Sequence, residues 1–472
     1  MRILLLNDTT LRAGLEKRGH EVRACGPEAR YLMPDQSHFD FTFPSRTVIA
    51  LEAVLARLEG WQPELIIHTE IHTNYFYRGI ERAPCPTLWR TIDNHIHGWQ
   101  PRYAPTHDVV LVAQKDYLPE FESHHPYAFW LPLNSFSQVH FDRGLERDIP
   151  VSFVGSLNPA MHPERARFFE ALRQRVPVEV HAGLNQEELS RVYNRSKLVV
   201  NQCVHSDLNY RVFEAMGNGA MLITPRIQNG MLELFTEGKE LVTFAPGDVE
   251  EAARLVQYYL EHDAERQAIA QAGLRAIERS HTLEHRLDQL MTLVKEGVPD
   301  AHASRESRLS GQVWAQLFPL YAALHSQRYS NAELALDALR GLAEKGALLD
   351  AIASATRVSI EHLDGGRPTF AEPYLELAYE LGAQGAVEGL LGRVRMSQGR
   401  LEEAHSLLES AVKVAGSESA FWVWLAQCRE EAGQRVEAIA ALEKCLELQP
   451  SRSEATRMLQ RLQNPIMPLR IS

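Results

Sequence analysis

Short apolar runs that close on polar residues, with helical spacing between them, recur through the first half of the chain. One series is "RILLLND", "PELIIHTE", "TLWRTID" and "DVVLVA"; a second is "VSFVGS", "VEVHAG", "KLVVNQ", "AMLITP" and "ELVTFA". Strands buried on both faces read this way, and parallel neighbours need a crossover, usually a helix. "TTLRAGLEKRGHEVRAC" supplies a first helix and a second strand; "HPERARFFEALRQRV", "NQEELSRVYNRS" and "RVFEAMGNG" supply later helices. The spacing predicts two α/β domains with parallel sheets, at 1–135 and 136–297. "WLPLNSFSQVHFDRGLERDIP" is the crossover between them, and the helical stretch 249–294 closes the second.

"EGVPDAHASRESRLSGQ" then reads as a polar loop, and after it strand patterns stop. Residues 311–465 alternate helical patterns rich in Ala, Leu and Glu. Gly399–Gly416 recurs at Gly433–Pro450, so Ala404 matches Ala438 and Leu408 matches Leu442. That period, with Trp422, Leu425, Ala426, Ala438, Leu442, Cys445 and Pro450 at its signature positions, is the tetratricopeptide (TPR) period. The match is strongest in the last full repeat, fair over 385–418 and weak over 311–384. Such hairpins stack into an extended scaffold. A solenoid that only stabilises the rest of the chain is the alternative.

The 472 residues suit about three domains. A net charge of −12 argues against nucleic acid as a partner, while leaving room for a local basic pocket. Five scattered cysteines, an odd number, fit a reducing compartment. The opening "MRILLLND" turns polar too soon for a signal peptide, and no apolar run is long enough to span a membrane. A cytoplasmic protein is expected.

In an α/β domain, ligands gather outside the carboxyl ends of the strands. "KLVVNQ" ends at Gln202, the loop "CVHSDLNY" follows, and a helix begins near Arg211. The free amides and dipole of that helix end favour phosphate. Arg211 adds a bidentate cation. Glu214, one turn on, suits paired hydroxyls such as those of a ribose. The same spacing also allows a surface Arg211–Glu214 ion pair worth a few tenths of a kcal/mol, roughly. In the first domain, "RTIDNHIHGW" puts Asp93, His95 and His97 at a strand end, and "IIHTEIH" puts His68, Glu70 and His72 at another. Asp93, His95 and Glu70 are candidates to bond a sugar or take an acceptor's proton. Polar strand ends without a function are the alternative. "HTE" with "PCPTL" fails as a zinc deaminase pattern, because the second cysteine position holds Leu88. His68, Glu70 and His72 alternating on one strand are weak metal ligands. No dinucleotide or P-loop fingerprint occurs.

The two α/β series together resemble a GT-B glycosyltransferase. "RVFEAMGNGAMLIT" resembles the donor-binding motif of retaining family 4 enzymes. Residues 150–292 resemble the CgeB-like branch through "VSFVGS", "LVVNQ", "RVFEAMGNG", "EGKELVTFAPGDVEEAARLVQYYLEHDAERQAIAQAG" and "SHTLEHR". The resemblance implies two Rossmann-like domains facing a cleft, followed by the all-α TPR-like domain. It assigns Glu214 to ribose hydroxyls, the Asn209 and Tyr210 amides to a diphosphate, Gly155 and Ser156 to the glycine-rich turn, and Gly183 to the base. Gly217 and Gly219 would let the helix approach the sheet.

Three positions depart from the family. Ser206 stands where the first glutamate of the family 4 pair belongs, with Asp207 beside it as a substitute. Ser156 and Met161 stand where the diphosphate cations belong, which makes Arg211 the replacement and Arg165 a second candidate. These departures leave the stereochemical outcome open. No Asp-x-Asp occurs, and GT-B enzymes usually use helix amides and cations instead. No metal or other cofactor is therefore expected, only a nucleoside diphosphate-sugar as donor substrate. The function read here is glycosyl transfer, with the acceptor a protein hydroxyl recruited by the TPR domain or a surface polysaccharide precursor. An inactive GT-B/TPR binding scaffold and a GT-B sugar-nucleotide epimerase are the alternatives, and self-association is compatible with each.

Overall fold

The computed structural model describes residues 1–28, 39–44, 48–70, 76–327 and 331–464. It divides into two compact units, Met1–Arg308 and Leu309–Ser472.

Among its described residues the first unit holds two large parallel sheets and a two-stranded one that pairs Ile49–Ala50 with Tyr77–Arg78. The seven-stranded sheet runs in the order Phe41–Phe43, Glu21–Pro27, Arg2–Leu6, Leu65–Thr69, Thr87–Thr91, Val109–Val112, Ala128–Trp130. The five-stranded sheet runs Val178–His181, Ile149–Val154, Ser196–Val200, Met221–Pro225, Val242–Phe244. In each, the chain winds outward in both directions from its first strand. The switch points therefore lie between Arg2–Leu6 and Leu65–Thr69, and between Ile149–Val154 and Ser196–Val200. Asn7, Asp8, Thr69 and Glu70, at the carboxyl ends of the first pair, and Asp207, Asn209, Tyr210 and Arg211, which follow the second, border one cleft, as the GT-B resemblance implies.

The central strands and their helices lie where the apolar runs predict. Two edge strands, Phe41–Phe43 and Ala128–Trp130, carry too few residues to show a pattern of their own. Two expectations need correction. The helix Leu283–Glu296 does not close the second domain; Leu283, Leu287, Leu290, Met291 and Val294 join Ile3, Leu5, Ile67 and Leu111 in the first sheet's core. Gly14 makes room for it, since a Cβ there would lie 2.2 Å from Leu287 Cδ1. Arg18 holds the same helix through the Glu284 carbonyl and Asp288. Apolar periodicity shows that a helix has a buried face, not which sheet receives it.

The second correction concerns the polar stretch after residue 296. It folds as the helices Val298–Ala303 and Arg305–Arg308, the last of the first unit. Its polar residues are ligands of one buried carboxylate. Asp108, with no exposed surface, accepts from Arg305 Nε at 2.7 Å, Arg308 Nη2 at 3.1 Å and the Thr87 amide at 2.9 Å, and lies 3.2 Å from His302 Nδ1. Arg305 also donates to the Cys85 carbonyl at 3.0 Å.

The second unit is helical in its described residues, from Gly311–Ser326 to Ser453–Gln463. Successive helices pack as hairpins over 311–380 as well, where the repeat signature is weak. Small residues set the close approaches: a Cβ on Gly341 would meet the Trp314 ring, one on Gly389 the Phe421 ring, and one on Gly392 Leu408.

Candidate active site

The cleft of the first unit has a volume of about 1320 Å³. On its second-sheet wall stands the helix Tyr210–Gly217, with Asn209 as N-cap in an extended conformation. No side chain caps that end, and Asn209 Oδ1 is buried without a hydrogen-bond partner. The loop before it turns sharply: His205 and Ser206 have φ of 48° and 59°. Asp207 Oδ1 holds the turn by accepting from the Val204 amide at 2.8 Å.

Arg211 and Glu214 form no ion pair. Arg211 donates to the Val154 carbonyl at 3.0 Å and to Asn201 Oδ1 at 2.7 Å, which ties it to the ends of both switch-point strands. Its guanidinium lies 4.5 Å from the Phe153 ring centroid, and that of Arg165 lies 5.9 Å from the same ring. Arg165 Nε donates to the Gln202 carbonyl at 3.0 Å. Burial, and then the charge of Arg211, push Arg165 down to about 10. Two cations held together against one aromatic ring, both lining the cleft, make a seat for an anion. Glu214 is buried, with one oxygen 3.5 Å from Gln186 Nε2; His140 in turn lies 2.7 Å from Gln186 Oε1.

Of the candidates, Glu70, Asp93, Asp207, Asn209, Tyr210, Arg211 and Glu214 line the cleft. Gly155, Ser156, Gly183 and His95 do not. Gly155 acts through absence of a side chain, because a Cβ would lie 2.6 Å from Arg211 Nη2. Ser156 Oγ accepts from the Asn158 amide at 3.2 Å and shapes the turn. Gly183, at φ 71°, forms a turn after Val178–His181. The His95 ring faces His205, centroids 6.1 Å apart. Gly217 meets the crossover rather than the sheet, since a Cβ there would lie 2.4 Å from Ser135 Oγ.

On the first-sheet wall, Glu70 and Asp93 are linked. One oxygen of Glu70 accepts from the amides of Ile92 (2.8 Å) and Asp93 (2.7 Å), and the other lies 3.7 Å from His97. Glu70 therefore orients the turn that presents Asp93. His68 is a core residue 3.1 Å from His107, and His72 lies outside the described residues. Among the described residues, no cluster of His, Cys, Asp or Glu is placed to hold a metal ion.

Asp8 and Gln114 also line the cleft and were not singled out from the sequence. Asp8, at the end of the first strand, accepts from Arg90 Nη1 at 2.9 Å and from the Thr10 amide and hydroxyl. Its place at a strand end was the available signal. Gln114 bridges the two halves: its Oε1 accepts from the Leu208 amide at 2.9 Å and from Asn229. No local pattern marks that role. The Tyr210 ring stacks with Phe136, centroids 6.0 Å apart, and its phenol feels charges from both halves. Partial burial raises its phenol, Arg90 offsets this, and Asp8, Glu214 and Asp93 add to the rise.

Residues 141–292 match the glycosyl transferase-like family model, and residues 395–462 match the tetratricopeptide repeat model. The chain thus carries one segment that matches a glycosyl transferase-like family and one that matches tetratricopeptide repeats. Three solved structures illustrate the likenesses. Sucrose-phosphate synthase from Thermosynechococcus elongatus is 12% identical over 63% of this chain and 99% of its own, with a TM-score of 0.45. HepE of Anabaena, in complex with UDP and glucose, is 14% identical over 63% and 100%, with a TM-score of 0.47. The TPR domain of Arabidopsis OM64 is 18% identical over 25% and 99%, with a TM-score of 0.24. No curated protein matches the chain. Among the described residues, no helix is long and apolar enough to cross a membrane.

Proposed function

We propose that the first unit transfers a sugar from a nucleoside diphosphate-sugar to a hydroxyl acceptor held by the TPR unit, in the cytoplasm. The observation that carries this is the pairing of Arg211 and Arg165 at the open amino end of the helix Tyr210–Gly217, with Glu214 one turn further on. Here the bond between the anomeric carbon and the diphosphate oxygen breaks, and charge grows on the leaving diphosphate. Arg211, Arg165 and the helix amides stabilise that charge. Glu214 accepts hydrogen bonds from the ribose hydroxyls. Asp93, presented by Glu70 from the opposite wall, takes the proton of the acceptor hydroxyl as the new glycosidic bond forms. The protein cations do the neutralising, so the reaction is read as independent of a metal ion. The narrower CgeB-like placement, and a protein as the acceptor, belong to the same proposal.

The test is binding and turnover across a panel of nucleotide sugars, UDP-glucose among them. A donor should bind to the parent and be hydrolysed slowly without acceptor, and a chelator should leave that rate unchanged. No binding by any member of the panel would overturn the reading. Activity lost to chelator and restored by manganese would overturn its metal independence.

A further inference from the structure

A second cavity, of about 380 Å³, lies at the amino-terminal edge of the five-stranded sheet. The cleft lies at the carboxyl ends of the same strands. Arg147, Lys197, Gly219, Asp263 and Arg266 are among the residues that line this second cavity. Three cations and one carboxylate line it, and a second carboxylate, Asp142, lies 3.7 Å from Arg147 Nη2. Arg147 is largely committed to the fold: it donates to the carbonyls of Tyr193 (3.1 Å), Ser196 (2.7 Å) and Asn218 (3.0 Å). Gly219, at φ 71°, admits it, since a Cβ would lie 2.8 Å from Arg147 Nη2.

The other two cations have capacity left. Arg266 is only 3% exposed, and its Nη2 donates to Asp263 at 2.5 Å. Its Nε is buried with no acceptor. Lys197, near the start of Ser196–Val200, takes part in no ion pair among the described residues. A guanidinium this deeply buried beside a second one, with a donor unmet, is costly unless an acceptor joins it. Desolvation lowers Arg147 below its ordinary value; Asp142 offsets part of that fall and Arg266 adds to it.

We propose that this cavity is a second anion site, separate from the cleft, which takes a phosphate-class oxyanion between Arg266 and Lys197. The cleft is itself read as an anion site, so the test must separate the two. Full-length Arg211→Ala protein is titrated calorimetrically with inorganic phosphate at low ionic strength, alongside the Arg211→Ala/Lys197→Glu double variant. Phosphate should bind the first and bind the second at least about tenfold more weakly. Arg266→Gln, in the Arg211→Ala background, should weaken it likewise. Because Arg266 is buried and its substitution puts the fold at risk, the partly exposed Lys197 carries the decision. Equal phosphate affinity with and without Lys197→Glu, or no phosphate binding in Arg211→Ala, would overturn the proposal.

Discussion

Arg211 has both of its anchoring bonds on groups that cannot move independently of the sheet, the Val154 carbonyl and Asn201. Its guanidinium is thus oriented before any ligand arrives, and little entropy is lost on binding. Arg211→Ala should cost about 1.5–3 kcal/mol of diphosphate affinity, the range for a charge-assisted hydrogen bond. Glu214→Ala should weaken binding of the nucleoside and leave pyrophosphate affinity unchanged. Calorimetry with a nucleoside diphosphate and with pyrophosphate separates these outcomes; if neither variant shifts either ligand, the site is misassigned. Asp93→Asn should leave donor affinity intact while lowering transfer by about a hundredfold or more. A normal transfer rate would remove Asp93 as the base. Glu70, which holds the amides of Ile92 and Asp93, acts through that turn.

At the scale of elements, the helices Val298–Ala303 and Arg305–Arg308 act as a latch on the first sheet, fastened at Asp108. Burial raises the Asp108 carboxyl, but hydrogen bonds and charge from Arg305 outweigh it, and the net position is below the usual carboxylate range. A depressed acid stabilises the fold above its unfolded value, near 3.8, and that contribution fades as pH falls through the folded value. Asp108→Asn leaves Arg305 and Arg308 buried without a counter-charge, so it should destabilise by about 3–5 kcal/mol. Chemical denaturation at neutral pH measures this, and a loss within error would show the latch to be passive. The helix Leu283–Glu296 is open to a similar test. Gly14→Leu collides with Leu287, each such buried leucine contributing about 1.5–3 kcal/mol, and should lower the melting temperature clearly.

At the scale of the molecule, a chain ending at Arg308 retains the whole first unit, whereas one ending at residue 300 loses both arginines that neutralise Asp108. The shorter chain should melt well below the longer, and equal melting would contradict the latch. If the TPR unit recruits the acceptor, the chain ending at Arg308 should keep donor hydrolysis and lose most transfer to the natural acceptor, through lost local concentration. Full transfer would leave the repeats a stabilising role. Acid should also act on the first unit through histidines. Burial lowers His68 to about 3, His125 to about 4, and His107 well below 6.5. These groups stabilise the fold above 6.5, and their contribution declines as pH falls towards their folded values. The decline is up to about 1.4 kcal/mol per pH unit for each histidine, because the unfolded chain takes up protons that the folded one refuses. Stability that stays flat between pH 6.5 and 4 would refute this.

Local chemistry determined much of this protein. The apolar runs are strands because their side chains are buried on both faces, and the 34-residue repeat gives helical hairpins because each leaves an apolar face for the next. Arg211 and Glu214 were legible for a similar reason: a loop that turns into a helix after a parallel strand puts those positions at one edge of the sheet, whereas Asp207, Asn209 and Tyr210 came from the resemblance. What only the tertiary structure decided depends on partners distant in sequence. Glu70 and Asp93 work together, Gln114 reaches Leu208 and Asn229, and Gly155 clears space for Arg211. The helix Leu283–Glu296 crosses to a core whose strands lie more than a hundred residues earlier. The polar stretch after residue 296 becomes a latch because its arginines find one carboxylate at Asp108. A side chain's chemistry is written in its own position, but the group that satisfies it is chosen by the fold.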